Sequence, residues 1–149
     1  MKKILHVAET IKGGVATVIR TISTSPEDDA ANYELVYLVP QDQEKELHGI
    51  AAQQIRTFAR TGRNVPSLLR FAWRLAQVML KEKPDVVHLH STFSGVIGRC
   101  VCVLLRPWRK PKIVYCPHAF SFLMESSPIK QNVYAWIERV LQKVTDVII

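Results

Sequence analysis

Acid is scarce in this chain. Its 149 residues carry 13 Asp and Glu against 20 Lys and Arg, a net charge of +7. Such a balance favours anionic partners: nucleotides, nucleic acid or acidic lipid surfaces. Cysteine is scarcer still. An odd count of three makes no disulfide framework and fits a reducing, cytoplasmic compartment. Long apolar runs are missing, and none approaches the roughly 18 residues of a membrane span. The apolar stretch behind Met1-Lys2-Lys3 is too short for a signal peptide, and His6 and Glu9 interrupt it. The glycine fingerprints of dinucleotide-binding and P-loop sites are absent. So are internal repeats, and so are helix-turn-helix, zinc-finger and RNP-like motifs, which removes nucleic acid from the partners.

What is present is an alternation. Short apolar runs rich in Val and Ile predict strands over 4–8, 34–39, 55–58, 85–90, 112–116 and from 146. Between them the period changes to that of helices. Val15, Val18, Ile19 and Ile22 share one helical face behind Gly13-Gly14. A helix after Ser67 carries Leu68, Ala72, Leu75 and Met79 on its apolar side. Ser91 to Gly95 reads as a loop and 95–105 as a helix. A last helix opens at Ser127-Pro128, with Val133, Ile137, Val140, Leu141 and Val144 as its buried stripe. This pattern predicts an α/β fold: a Rossmann-like, doubly wound parallel sheet with right-handed crossovers and strand order 3-2-1-4-5-6. Ligands of such sheets bind beyond the carboxyl ends of the strands, where the order reverses between strands one and four.

Three loops therefore converge: Gly13-Gly14, His90-Ser91-Thr92 and Pro117-His118. Gly13 and Gly14 let a ligand approach backbone at a helix N-terminus, where unpaired N–H groups favour anions, although a bend alone also explains them. His118 beyond the fifth strand suits a polar or charge-stabilising role, against the alternative of packing under its loop. His88-x-His90, Cys100-x-Cys102 and Cys116-x-His118 do not have zinc spacing, and no metal is expected. Arg99, Arg106, Trp108, Arg109 and Lys110 read either as a solvated helix end or as a patch for an anionic membrane surface.

Several stretches resemble the N-terminal domain of family 4 glycosyltransferases. They are Gly13-Gly14-Val15-Ala16-Thr17, Asp85 to Ser91 with Gly95 and Gly98-Arg99, Val114 to Phe122, and Ile137-Glu138-Arg139 with Thr145 to Ile149. The likeness is strongest to the capsular and exopolysaccharide branch. It implies the N-terminal half of a GT-B fold, with residues 1–149 as the acceptor-side domain and a C-terminal donor domain outside this chain. It implies a retaining glycosyltransferase of hexosyltransferase type that needs no metal or other cofactor. The donor is a nucleotide-sugar, and the acceptor is a polysaccharide or a polyprenyl-diphosphate-linked sugar. By position, Gly13 and Gly14 would meet the donor diphosphate, His118 would be catalytic, and His90 and Ser91 would line the acceptor side. The family's paired glutamates, with seven residues between them, are not found, since no Glu has another eight positions later, and Ala119 stands where many relatives have glycine. The fragment alone is then expected to be inactive, with Phe120 and Phe122 inviting self-association. A stand-alone Rossmann-like nucleotide-binding or regulatory module is the alternative. The resemblance places the protein in the cytoplasm, peripheral at the inner face of the membrane.

Overall fold

The computed structural model describes residues 1–24, 32–117 and 127–149. Six strands pair in parallel in one sheet: β1 (Lys2–Ala8), β2 (Tyr33–Pro40), β3 (Ile55–Phe58), β4 (Val86–His90), β5 (Lys112–Cys116) and β6 (Val147–Ile148). Their order is β3-β2-β1-β4-β5-β6, as the alternation predicts. Four helices connect them: α1 (Gly14–Thr24), α2 (Val65–Glu82), α3 (Thr92–Leu104) and α4 (Pro128–Leu141). A 3-10 segment, Gln41–Leu47, leads from β2 towards β3.

Alternation along β1 separates two cores. Leu5 and Val7 face α2 and α3, where they join Phe71, Leu75, Val78, Met79, Val101 and Cys102. Ala8, with Tyr37 and Val39 of β2, faces α1 and meets Val15, Ala16 and Ile19. Full burial of one such aliphatic or phenyl side chain is worth about 1.5–3 kcal/mol. Two glycines bring α3 close to the sheet. A Cβ on Gly95 would collide with the Tyr115 ring, and one on Gly98 with Leu89.

Several details differ from the sequence reading. In α1 the buried face is Val15, Ala16 and Ile19, and Ile22 is exposed. In α2 Leu75 and Met79 of the predicted face are buried and Ala72 packs on the core, but Ser67, Phe71 and Val78 are buried with them and Leu68 is only half-buried. The helix is apolar on more than one side, and Phe71 wins the core by packing on Phe58, ring centroids 4.9 Å apart. Its N-cap is Asn64, whose side chain accepts from the Ser67 N–H at 2.9 Å. Helix α3 starts at Thr92, so there is no loop from Ser91 to Gly95. In α4 the predicted stripe is not buried: Val133 and Val140 are exposed, and Ile137, Leu141 and Glu138 are half-buried.

Arg99 corrects the sequence reading most. It is fully buried and so cannot touch a membrane. Its Nη2 donates to both carboxylate oxygens of Glu138, at 2.9 and 2.8 Å, and its Nε to the Gly95 carbonyl at 2.8 Å. The guanidinium lies 4.1 Å over the Tyr115 ring, whose hydroxyl also donates to Glu138. A planar fork that both stacks and pairs locks α3, α4 and β5 together. Burial, then the Glu138 carboxylate, raises the Tyr115 pKa.

The amino edge of the sheet is closed by acids with partners. Asp85 Oδ2 accepts the Lys3 N–H at 2.7 Å, and Asp146 Oδ2 the Ile113 N–H at 2.7 Å. Glu82 bridges Lys3 at 3.0 Å and Arg56 at 2.7 Å.

Candidate functional site

The opposite edge is built differently. β1 and β4 lie side by side, with Ala8 paired to His90. Each strand feeds a helix directly. Gly13 takes φ 78°, which favours glycine, and α1 begins at Gly14. Among the described residues nothing lies within 4 Å of a Cβ built on either glycine, so none of them fills the approach to this helix start. After β4, Ser91 takes φ 75° and ψ 161°, a region that costs about 1–3 kcal/mol for a residue with a side chain. α3 then starts at Thr92. Two helix N-termini thus sit at the ends of adjacent strands, each with unpaired N–H groups and a partial positive charge of about half an electron.

Between these turns and β3 lies a polar group that the sequence reading missed. Glu9, one residue past β1, is 1 % exposed. Arg60 holds its Oε1 at 2.9 Å, while Arg63 Nε stands 3.7 Å from Oε2. That Oε2 accepts no hydrogen bond among the described residues. Arg63 also lies over the Phe93 ring, 4.9 Å from its centroid. Gln43 takes the Ile11 N–H at 2.8 Å and the Thr10 hydroxyl at 3.1 Å on Oε1, and its buried Nε2 has no hydrogen-bond partner among the described residues. A buried polar atom left unpaired is costly, and a ligand hydroxyl can satisfy it. The sequence signal for Glu9 was a charged residue directly behind a buried strand at the ligand edge.

His90 does not line the surface of this site, contrary to the sequence reading. It is fully buried and hydrogen-bonds His6, Nε2 to Nδ1, at 3.1 Å. His88 stacks on it with ring centroids 4.1 Å apart. The three share one sheet face because His6 pairs with His88 in register and His90 follows two residues on. Their ring nitrogens lie within 4.8 Å of one another, the geometry from which a metal site could be assembled. The rings stack at 24° (His6–His90) and 29° (His88–His90), and His6 and His88 tilt at 45°. Burial, then His88, lowers the His6 pKa to about 3, so His6 is neutral at physiological pH.

Ser91 is half-buried at the edge itself, where the sequence put it. Of the basic cluster, Arg106, Trp108 and Lys110 are exposed and Arg109 is half-buried, and Arg99 is not part of it. His118, with Phe120 and Phe122, lies outside the described residues. No described helix is long and apolar enough to cross a membrane.

The family model for Glycosyltransferase Family 4 matches residues 12–149. An uncharacterised 41.2 kDa protein of the cps region of Klebsiella pneumoniae is 41 % identical over 147 residues, which are 98 % of this chain and 39 % of that protein. A UDP-Gal:alpha-D-GlcNAc-diphosphoundecaprenol alpha-1,3-galactosyltransferase from Escherichia coli is 34 % identical over 71 residues, 48 % of this chain and 18 % of that one. The chain thus spans about two fifths of the first relative and less of the second. The fold is shared with sucrose-phosphate synthase from Thermosynechococcus elongatus, with TM-score 0.68 at 13 % identity over 99 % of this chain and 42 % of that one. It is shared too with a UDP-N-acetylglucosamine 2-epimerase from Rickettsia bellii, with TM-score 0.59 at 16 % identity over 99 % and 38 %.

Proposed function

The chain belongs to glycosyltransferase family 4, and from that membership we propose that it is the acceptor-side domain of a sugar-transferring enzyme. The reaction moves a hexosyl group from a nucleotide-sugar to a polysaccharide or lipid-linked acceptor, with retention at the anomeric carbon and without a metal. A second domain supplies most of the donor site, in keeping with the greater length of the relatives. The relative named for UDP-galactose and a diphosphoundecaprenol-linked sugar supports this substrate class, and the relative from a cps region supports a capsule or exopolysaccharide product.

One observation carries the reading: two helix N-termini, one behind an open glycine pair, at the carboxyl ends of adjacent central strands. A diphosphate suits that place, since the helix dipoles favour negative charge and glycine lets it come close. In this reading Gly13 and Gly14 meet the donor diphosphate, and Ser91 faces the acceptor. Glu9, whose Oε1 is held by Arg60, offers Oε2 to an acceptor hydroxyl. His118 stabilises charge near the transferred sugar. The enzyme works in the cytoplasm, at the inner face of the membrane that holds a lipid-linked acceptor. Residues 1–149 alone do not turn over, because positioning the donor, worth up to about 7–11 kcal/mol, needs the second domain.

The test is nucleotide release by the full-length enzyme across a panel of nucleotide-sugars, with lipid-linked and soluble sugar acceptors. Release that needs both donor and acceptor supports the reading. His118→Ala should lower the rate by about 10²–10⁴ without moving the melting temperature. Nucleotide binding with no transfer to any acceptor would favour a stand-alone binding module.

A further inference from the structure

Arg63 is held from two sides and hydrogen-bonded from neither. Its Nε stands 3.7 Å from Glu9 Oε2, beyond hydrogen-bond length, and its guanidinium lies 4.9 Å over the Phe93 ring. Its Nη groups donate to nothing among the described residues, and 56 % of the side chain is accessible. The sheet order explains the reach. Arg60 and Arg63 follow β3, Glu9 follows β1, and Phe93 is the second residue of α3, which follows β4. The Arg63 side chain therefore crosses the ends of β2 and β1 and arrives at the start of α3. A guanidinium over an aromatic ring still presents its N–H fork to an anion. Ordering so long a side chain costs entropy, and here the ring and the carboxylate order it in advance.

Charge says what the fork meets. Arg60 already pairs with Glu9 at 2.9 Å, so Arg63 is a second cation beside one carboxylate. The start of α3 adds partial positive charge at the same place. A neutral sugar would use Glu9 Oε2 and leave the extra cation unmatched. A sugar that carries a phosphate would use both. Its hydroxyl would donate to Oε2, which is buried and accepts no hydrogen bond among the described residues, and its phosphate oxygens would take the Arg63 fork.

We propose that Arg63 selects an acceptor whose sugar is linked to phosphate, with Phe93 positioning the guanidinium and the diphosphate of a lipid-linked acceptor as its ligand. This rests on the sugar-transfer reading above and narrows it, since the neutral end of a polysaccharide has nothing for the fork. It also divides the two helix starts: α1, behind Gly13-Gly14, serves the donor diphosphate, and α3, with Arg63, serves the acceptor. Arg63 decides which acceptor binds and makes or breaks no bond.

Acceptor kinetics of the full-length enzyme test it, with a donor and an acceptor sugar that support nucleotide release. The sugar is supplied as an alkyl diphosphate and as a neutral alkyl glycoside of equal chain length. Arg63→Gln should raise KM for the diphosphate about tenfold to a hundredfold at nearly constant kcat, and KM for the neutral glycoside by less than about twofold. Arg63→Lys should recover part of the loss, because it restores the charge but not the fork. Phe93→Leu should give a smaller loss with the same selectivity. Glu9→Gln should weaken both acceptors alike, since it meets the sugar. Thermal unfolding of Arg63→Gln should match that of the unaltered enzyme, because more than half of the side chain is exposed. Equal losses on both acceptors, or an unchanged KM for the diphosphate, overturn the proposal. An enzyme that transfers as well to the neutral glycoside overturns it and spares the sugar-transfer reading. No transfer to any acceptor ends that reading and this proposal with it.

Discussion

The two edges of the sheet are made of similar residues and solve opposite problems. At the amino edge each acid has a partner: Asp85 takes Lys3, Asp146 takes Ile113, and Glu82 takes Lys3 and Arg56. At the carboxyl edge the same kinds of group are left unfinished. Among the described residues Glu9 Oε2 and Gln43 Nε2 are buried without hydrogen bonds and nothing crowds Gly13 and Gly14, and Ser91 holds a backbone angle suited to glycine. A sequence free to optimise stability alone would satisfy both edges. The difference marks the carboxyl edge as the side that another molecule completes.

Substitutions can break or sharpen that contrast. The largest effect is expected at the closed edge. Glu82→Ala removes a charged partner from Lys3, which keeps Glu34, and from Arg56, which keeps the Gln53 and Ile55 carbonyls, and should cost about 1.5–3 kcal/mol in urea denaturation. Sugar transfer per folded molecule should stay unchanged, and a comparable loss of transfer would erase the distinction between the edges.

Next comes the histidine group beneath the open edge. Above pH 6.5 His6 is neutral in both states and contributes no pH dependence. Below that, the unfolded chain takes up a proton that the folded one refuses until about pH 3, so stability falls on acidification. The loss should reach about 2 kcal/mol between pH 6.5 and 5, at about 1.4 kcal/mol per unit. His6→Phe keeps a ring against Tyr37 but cannot titrate, and should flatten this slope. An unchanged slope would assign it to other groups.

The smallest effect should carry the opposite sign. Ser91→Gly removes strain of about 1–3 kcal/mol but adds the entropy of a glycine in the unfolded chain, for a net gain of about 1 kcal/mol. A lower urea midpoint would show that no strain is stored there.

Much of this was legible in the sequence, and the reason is locality. β3 and β5 fall where their apolar runs put them, and the strand order follows from alternation and crossover handedness. The turn at Gly13-Gly14 is visible as a change of period. What the sequence hid depends on partners far along the chain. Arg99 reads as a surface cation until Glu138, 39 residues on, comes across from α4. Glu9 reads as an interruption until Arg60, 51 residues on, comes up beside it. Helix α4 shows the reverse error: its apolar periodicity is plain, but of the stripe Val133 and Val140 are exposed and Ile137, Leu141 and Val144 only half-buried.

The sheet order also sets a timetable. β1 lies at the centre of the sheet, between β2 and β4, and is synthesised before either neighbour. β2 follows soon and can cover one flank. The other flank waits for Val86, 78 residues after Ala8. At about 5–20 residues per second that is roughly 4–16 s of synthesis during which a central strand has an unpaired side. The nascent chain must therefore keep a central strand from joining another chain before its own neighbour exists.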